Sequence, residues 1–254
     1  MKTVVLTPKD KLITKTSSKG SQAKWQVGDC WYKQDLVGYE SAGEILASRV
    51  AHLLNIDMPI VDYSPCYLKL PTGTFLGCES KSFLAEGDTE ITAQRLLEGD
   101  IGYHLARVAS PMEQLHFLLD RHPNLADQLS CLLQFDRIIR NHDRHLHNIV
   151  IRNLSEIVVF DNGDSCTADI TYDYPISATH QEILSVTISK PLMKSFDTAC
   201  DNMKALSRFK LKVMEDKLLV SDLREIYPRW FLERVEWLLR HQFAEYLDTD
   251  LQII

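Results

Sequence analysis

The stretch Asn141-His142-Asp143-Arg144-His145-Leu146-His147-Asn148 decides the fold of this chain. It follows an apolar run, Leu129–Ile139, and it sets an Asp, a His and an Asn at fixed spacing. A second stretch, Val158-Val159-Phe160-Asp161-Asn162-Gly163, is an apolar, strand-like run that ends in Asp and Gly. Both stretches therefore place carboxylate or amide side chains directly after an apolar segment.

Two short strands are predicted between these stretches, at 149–151 and 157–160, with a turn at 152–156. A hairpin of this kind brings Asp143 and Asn148 close to Asp161. Phosphoryl transfer needs such a set, because one carboxylate receives the proton of the acceptor hydroxyl while an amide and a second carboxylate hold Mg²⁺ on the phosphates. The spacing therefore indicates a kinase-type active site.

The same cluster of His and Asp allows two other interpretations. Charged clusters between secondary-structure elements are usually solvated turns. A zinc site would need His pairs that converge from one helix face or from paired strands, and His142, His145 and His147 meet that spacing only in part. The complete pattern H-x-D-R-H-x-x-N, followed by strand, turn, strand and Asp-x-Gly, is more specific, so we favour the kinase site.

Composition bounds the class of protein. The chain has 254 residues, of which 45% are hydrophobic and 25% are charged, which is ordinary for a globular protein with a substantial core. The formal net charge of −7 argues against a general binder of nucleic acids or anionic membranes, so no direct nucleic-acid partner is expected. The six Cys are scattered without disulfide or metal-ligand spacing, which favours reduced thiols.

The sequence also bounds the cellular location. No apolar run reaches the length of a transmembrane helix. The apolar start, Val4-Val5-Leu6, is too short for a signal peptide. We therefore expect a cytoplasmic protein, with delivery by a dedicated secretion system left open.

Residues 1–84 are predicted to form a β-rich lobe. Its strands are predicted at 4–6, 12–14, 30–33, 60–63, 66–70 and 74–79. A small polar loop, 16–27, can present backbone N–H groups and hydroxyls to phosphate oxygens. The strand Cys30–Lys33 ends in a Lys, and a kinase needs a strand Lys to neutralise the α- and β-phosphates of ATP.

A helix predicted at 39–54 follows that strand. Glu40 and Glu44 lie four residues apart on one face of it, so either carboxylate could hold Lys33. We favour Glu44, because it lies inside the helix rather than at its fraying start, and Glu40 stays open.

Residues 79–84 close the β-rich half, where the linker of a two-lobed kinase would run. Backbone groups there would hydrogen-bond the edge of adenine. The candidate contacts are Glu79, Ser80, Lys81 and Phe83. A plain interdomain connection would look the same in sequence.

Residues 85–254 are mostly helical in pattern. Helices are predicted at 91–97, 112–119, 125–140, 191–196, 201–215, 220–226 and 229–246. The polar segment 164–178 stands where kinases carry an activation or substrate loop.

Taken together, these motifs resemble the HipA-like kinases, and most closely the compact, stand-alone CtkA-like members. The resemblance spans roughly residues 12–245 and is carried by Gly20-Ser21-Gln22-Ala23-Lys24, Trp31-Tyr32-Lys33, the Glu40/Glu44 helix, Asn141-x-Asp143-Arg144-His145-x-x-Asn148 and Phe160-Asp161-x-Gly163. It implies an α+β, two-lobed protein-kinase-like fold, distantly related to the phosphoinositide kinases. The N-lobe would span 1–84, with a hinge near 79–84, and the C-lobe 85–254. The implied activity is Ser/Thr phosphorylation with ATP and Mg²⁺.

The resemblance also implies a role for each matching residue. Asp143 would be the catalytic carboxylate, His145 would brace the catalytic loop, and Lys33 would bind the phosphates. Asn148 and Asp161 would be the Mg²⁺ ligands.

The phosphate loop would bind the nucleotide through Ser18, Gly20, Ser21, Gln22 and Lys24. Family members can autophosphorylate a Ser at the start of this loop. Ser17 and Ser18 stand at the matching place, and Ser21 is a further candidate. A phosphate there adds close to two negative charges, which would repel the nucleotide, so self-inactivation is expected.

Two departures from the family pattern limit what is carried over. Toxin-type members have an extra N-terminal β subdomain and pair with a DNA-binding antitoxin. This sequence starts too close to its phosphate loop for that subdomain, so an antitoxin partner stays open but is not favoured. Asp161-Asn162-Gly163 also differs from the Asp-Phe-Gly of conventional kinases, so a switch based on that Phe is not expected.

The sequence therefore predicts an ATP- and Mg²⁺-dependent Ser/Thr protein kinase that acts on a protein substrate. One alternative is a kinase for a small molecule or a phosphoinositide headgroup, although the acidic net charge counts against the lipid version. Another is a nucleotide-binding pseudokinase or interaction module. The joint presence of Lys33, Asp143, Asn148 and Asp161 counts against that alternative.

Overall fold

The computed structural model describes residues 1–10, 23–36, 38–166 and 219–250, with side chains described up to Gln242. The strand predicted at 12–14, the helices predicted at 191–196 and 201–215, and most of the loop predicted at 164–178 lie outside the described residues. So do the loop residues Ser17, Ser18, Gly20, Ser21 and Gln22.

The N-terminal half forms a five-stranded sheet. Its strands are β1 (Lys2–Val5), β2 (Lys24–Val27), β3 (Cys30–Gln34), β4 (Tyr63–Leu70) and β5 (Gly73–Lys81), in the order β1-β4-β5-β3-β2. β1 runs parallel to β4, and the other neighbours are antiparallel. The chain makes a short 3₁₀ turn at Pro8–Asp10 after β1.

The region 60–70 differs from the prediction of two strands. β4 is one strand, because its pairing with β5 continues without a break from Tyr63, opposite Ser80, to Leu70, opposite Gly73. Ile60 instead makes an isolated bridge to Val159.

One helix, α1 (Glu40–Leu53), belongs to this lobe and packs on the sheet. Its buried side chains, such as Ile45 and Leu46, share a continuous core with the helices of the C-terminal half. The other side of the sheet has a small core of its own around Trp25, Tyr32 and Leu68. The N-lobe thus packs against the C-lobe through α1.

The C-terminal half is mainly helical. It contains α2 (Ala93–Ile101), α3 (Tyr103–Val108), α4 (Pro111–Arg121), α5 (Ala126–Ile139) and α6 (Arg229–Asp250). Short 3₁₀ turns lie at Pro123–Leu125, Leu146–Asn148 and Ser221–Glu225. The helix predicted at 220–226 is therefore a 3₁₀ turn, and α3 was not predicted.

A small sheet of β6 (Glu90–Thr92), β7 (Val150–Arg152) and β8 (Glu156–Val158) lies beside these helices. The predicted hairpin is present as β7 and β8. The prediction of a helix from residue 91 was wrong at its start, because Ile91 pairs with Ile151 across β6 and β7. α2 begins only after Thr92, whose hydroxyl accepts from the N–H of Arg95 as an N-cap.

The structure is therefore α+β, with a β-sheet lobe and a helical lobe, as the sequence predicted. Within the described ranges, no helix has the length and apolar character needed to cross a bilayer.

Candidate active site

Two Lys side chains on the β2–β3 hairpin converge on one carboxylate of the C-lobe. Lys24 lies directly opposite Lys33 in the strand register. The Nζ of Lys33 lies 2.6 Å from Oδ1 of Asp161, and the Nζ of Lys24 lies 3.3 Å from Oδ2. Facing like charges are unfavourable in a sheet, so the Asp161 carboxylate stabilises the pair.

The buried Lys33 has a second anionic partner in α1. Its ammonium group contacts Oε1 of Glu44, a fully buried carboxylate, and lies over the ring of Tyr63. The other oxygen of Glu44 accepts from the N–H of Asn162 at 2.7 Å. Glu40 instead accepts from the backbone N–H groups of Leu36 and Gly38, which precede α1. The structure thus brings Glu44, rather than Glu40, to the strand Lys.

Burial and ion pairing shift the pKa values of Lys33 and Asp161 in opposite directions. Burial raises the pKa of Asp161, but the ammonium groups of Lys33 and Lys24 outweigh it and hold that pKa well below its ordinary value. Burial lowers the pKa of Lys33, but the carboxylates of Asp161 and Glu44 raise it well above its ordinary value. Lys33 and Asp161 therefore stay ionised near neutral pH.

The segment that carries Asp161 packs closely against α1. A Cβ added to Gly43 would lie 2.5 Å from the carbonyl oxygen of Gly163. The hydroxyl of Ser165 donates to the carbonyl of Asn162 at 2.6 Å, and its oxygen lies 3.2 Å from the carbonyl oxygen of Gly43. Asp161 itself has a φ of 54°, which is uncommon for a residue other than Gly. The absence of a side chain at Gly43 is therefore what allows α1 to lie directly on this segment.

Asp143 lies on the loop 141–148 after α5, which the sequence predicted to be the catalytic loop. Its side chain is 46% exposed, so an acceptor group can reach it. Its Oδ2 accepts from the amide of Asn148 at 3.0 Å, and Nε2 of His145 lies 3.6 Å from its Oδ1. The loop therefore holds a carboxylate at the surface with one amide and one imidazole beside it.

A buried Arg connects this loop to the rest of the C-lobe. Arg144 has no exposed surface, and its guanidinium donates to both oxygens of Asp136 in α5, at 2.8 and 3.1 Å. It also donates to the carbonyls of Asn148 and Phe160 and to the amide oxygen of Asn162. One side chain thus joins α5, the catalytic loop and the segment that carries Asp161.

Asn141 adds to the same network. Its side chain is buried, donates to Asp136 and Asn162, and accepts from the N–H of Asp143 at 3.1 Å. The backbone reaches Asn141 through Arg140, which ends α5 in the left-handed conformation.

The donor set fits a Mg²⁺ ion. Oδ1 of Asn148 is buried and accepts no hydrogen bond from the described residues, although such oxygens are normally satisfied. Together with the carboxylate of Asp161 it offers the oxygen ligands that Mg²⁺ prefers. The described residues contain no cluster of three or more His, Cys, Asp or Glu that could hold a metal ion.

A cleft of about 170 Å³ lies between the sheet lobe and the small C-lobe sheet. Lys24 and Lys33 line one part of it, Ser80, Lys81 and Phe83 another, and the apolar walls include Val61 and Phe160. This shape fits a flat heterocycle with an anionic tail, because apolar walls favour the ring and the ammonium groups favour the tail.

The segment predicted as a hinge, 79–84, begins within a strand. β5 runs to Lys81, so residues 79–81 belong to a strand and only Ser82–Leu84 leads out of it. Glu79 does not line the cleft, and its carboxylate pairs with Lys2 at 2.6 Å. The carbonyl of Phe83 accepts from Arg152.

The comparisons with known proteins agree with this architecture. No protein-family model matches the sequence, and no curated protein matches it. Among solved structures, the chain is similar to the proinflammatory kinase CtkA of Helicobacter pylori, with a TM-score of 0.58 and 12% identity over 94% of each chain. The chain has the fold of the HipA/CtkA-like kinases. HipA of Shewanella oneidensis, solved with HipB and operator DNA, gives the same TM-score and identity over 93% of this chain and 67% of that chain.

Some residues at the site were not predicted from the sequence. Arg144 and Asn141 were part of the quoted motif, but nothing in the sequence distinguishes a buried guanidinium from a solvated one. Gly43 is a Gly within an amphipathic helix, a position where helix propensity alone disfavours Gly, and this signal could have found it. Tyr63 is an aromatic in a strand and carries no such signal.

Proposed function

We propose that this chain is an ATP- and Mg²⁺-dependent kinase that phosphorylates Ser or Thr of a protein. The observation that carries the proposal is that Lys33, which lines the cleft, contacts both Glu44 and Asp161. Asp143 and Asn148 are hydrogen-bonded to each other on the loop 141–148. These are the positions at which phosphoryl transfer needs charge neutralisation and an orienting carboxylate. The HipA/CtkA-like fold supports the proposal.

Each side chain would contribute through position and charge. The ammonium groups of Lys33 and Lys24 would neutralise phosphate oxygens, and Glu44 would keep Lys33 in place. Asp143 would accept a hydrogen bond from the acceptor hydroxyl and orient its oxygen toward the terminal phosphorus. Mg²⁺, when bound by Asp161 and Asn148, supplies further neutralisation of the phosphates.

His145 would act on Asp143 rather than on the substrate. Its Nε2 is 3.6 Å from Oδ1 of Asp143, and its Nδ1 is buried without a hydrogen-bond partner among the described residues. We assign it to bracing the loop, because that distance is longer than a hydrogen bond but short enough for electrostatic attraction when the ring is protonated.

The phosphate loop would be a target of the same activity. Lys24, the first residue of β2, already lies at the cleft. Phosphorylation of Ser17, Ser18 or Ser21, which precede β2 in the sequence, would add close to two negative charges to the predicted phosphate loop. Such a group would compete with the nucleotide phosphates for the ammonium groups of Lys24 and Lys33 and lower the activity.

The decisive experiment is incubation of the protein with ATP and Mg²⁺, followed by intact mass and phosphosite mapping. We expect a gain of phosphate in the wild type and none in Asp143→Ala. Asp127→Ala is the matched control, since Asp127 is an exposed carboxylate at the opposite end of α5 and should leave the gain unchanged. No gain and no nucleotide binding in the wild type would refute the kinase proposal.

Nucleotide binding without transfer would favour the other classes. Transfer to added small hydroxyl compounds would then indicate a small-molecule kinase. Binding with no transfer to any acceptor would indicate a pseudokinase.

A further inference from the structure

A buried hydrogen bond between two hydroxyls joins the start of α1 to residues 219–231, which we call the C-terminal segment. The hydroxyls of Ser41 and Tyr227 lie 2.7 Å apart, although 186 residues separate them in sequence. The hydroxyl of Ser41 donates to Oδ2 of Asp35 at 2.8 Å, and its N–H donates to Oδ1 at 2.7 Å. Because the Ser41 proton points to Asp35, Tyr227 is the donor to Ser41.

Aromatic packing surrounds this hydrogen bond. The ring of Tyr39 lies against those of Tyr227, Trp230 and Phe231, with centroid distances of 5.8, 6.1 and 4.7 Å. Tyr227 is 2% exposed, and burial raises the pKa of its phenol, so the hydroxyl remains a donor. The start of α1 is thus enclosed by residues that come just before α6 and from its first turn.

The far part of α1 is tied to the same segment. Arg49 donates to both carboxylate oxygens of Asp222 at 2.8 Å, a bidentate pair. It also donates to the carbonyl of Leu219 at 2.5 Å. The C-terminal segment therefore holds α1 at two points, Ser41 and Arg49, and Glu44 lies between them.

We propose that Tyr227 is a positioning residue for catalysis, and that segment 219–231 braces α1 so that Glu44 stays on Lys33. In protein kinases this Lys–Glu pair depends on the position of its helix, which is commonly set by activation. Here Ser41 is three residues from Glu44 on a rigid helix, so a shift at Ser41 moves the Glu44 carboxylate. The same shift would reach Asp161, since Glu44 also accepts from Asn162.

This inference rests on the proposed kinase function. It explains how the contact between Lys33 and Glu44 is maintained. The brace comes from the chain itself. The protein would therefore hold its Lys33–Glu44 pair without phosphorylation of another segment and without a partner.

The test is Tyr227→Phe, which removes the hydroxyl and keeps the ring. Tyr67→Phe is the matched control, because Tyr67 is an exposed Tyr of β4. We expect Tyr227→Phe to lower the rate of autophosphorylation about tenfold, the upper range for one hydrogen bond between hydroxyls. Amide hydrogen exchange of α1 and of Asn162 should become faster, while Tyr67→Phe changes neither.

Ser41→Ala distinguishes positioning from general destabilisation. Ser41→Ala also removes the bond to Asp35, so if the hydroxyl pair carries the effect, Tyr227→Phe adds no further loss of rate when it is combined with Ser41→Ala. A lower Tm with an unchanged rate per folded molecule, and unchanged exchange at Asn162, would overturn the inference. If the wild type transfers no phosphate, the kinase proposal fails, but the exchange at Asn162 still reports whether the brace exists.

Discussion

Replacement of Gly43 by Ala tests whether the contact between α1 and the Asp161 segment controls activity. Gly43 is the fourth residue of α1, and a Cβ there would meet the carbonyl oxygens of Gly163 at 2.5 Å and of Asn162 and Ser165 at 3.0 Å. All three obstacles are backbone atoms, which cannot move aside by a change of rotamer. The added methyl group must therefore displace either the helix or the segment.

The size of that displacement follows from the distances. A carbon–oxygen contact needs about 3.4 Å, so the helix and the Gly163 carbonyl must separate by roughly 0.9 Å. Misplacement of a catalytic group by about 1 Å costs on the order of 100-fold in rate. Overpacking costs about 1–3 kcal/mol of stability, and the helix propensity of Ala offsets up to about 1 kcal/mol of that. We therefore expect a folded protein with about 100-fold lower activity.

The assay is autophosphorylation by intact mass over time, with urea unfolding of the same samples. Gly99→Ala is the matched control, because Gly99 is an exposed Gly of α2 with no atom within 4 Å of an added Cβ. It should leave the rate unchanged and add about 0.5–1 kcal/mol to the free energy of unfolding. A Gly43→Ala rate within twofold of the wild type would refute the reasoning.

Two further predictions concern buried charge. Arg144→Met leaves the buried Asp136 carboxylate without its main partner, so the free energy of unfolding measured in urea should fall by about 3–5 kcal/mol; an unchanged midpoint would contradict this. Burial raises the pKa of Asp35 to about 6 from 3.8, so the folded state holds the proton more tightly and stability is lost as pH rises between these values. Asp35→Asn, which stays neutral, should therefore exceed the wild type in stability at pH 7 by at most about 3 kcal/mol and match it below pH 4, as measured by urea unfolding at each pH. Parallel pH profiles would be evidence against this.

The fold was predictable where local patterns are strong. The apolar periodicity of α5, the hairpin β7–β8 and the strand that ends near Lys33 are all set by residues close in sequence, and the structure has them. β6 was missed because its three residues become a strand only by pairing with β7, about 60 residues later. Such non-local pairing leaves no periodic signal in so short a segment.

In the described part of the chain, the structure brings together Lys33, Glu44 and Asp161, which the sequence had singled out, but the contacts around them could not be predicted. The spacing of Asp143 and Asn148 is local and could be read directly. The burial of Arg144 depends on where Asp136 and Asn162 meet. The pairing of Glu79 with Lys2 depends on β1 and β5 lying on either side of β4. Tertiary contacts decide both, and one sequence does not contain them.

The network around Arg144 has a consequence for folding. The guanidinium of Arg144 is fully buried in a network with Asp136, Asn141 and Asn162. If it were buried before all of these partners were in place, a buried polar group would be left without a hydrogen bond, which is costly. α5, the catalytic loop and the strand end before Asn162 must therefore dock together. The candidate active site should therefore form only when the C-lobe folds. During unfolding, any phosphoryl-transfer activity and the structure of the C-lobe should be lost in the same cooperative transition.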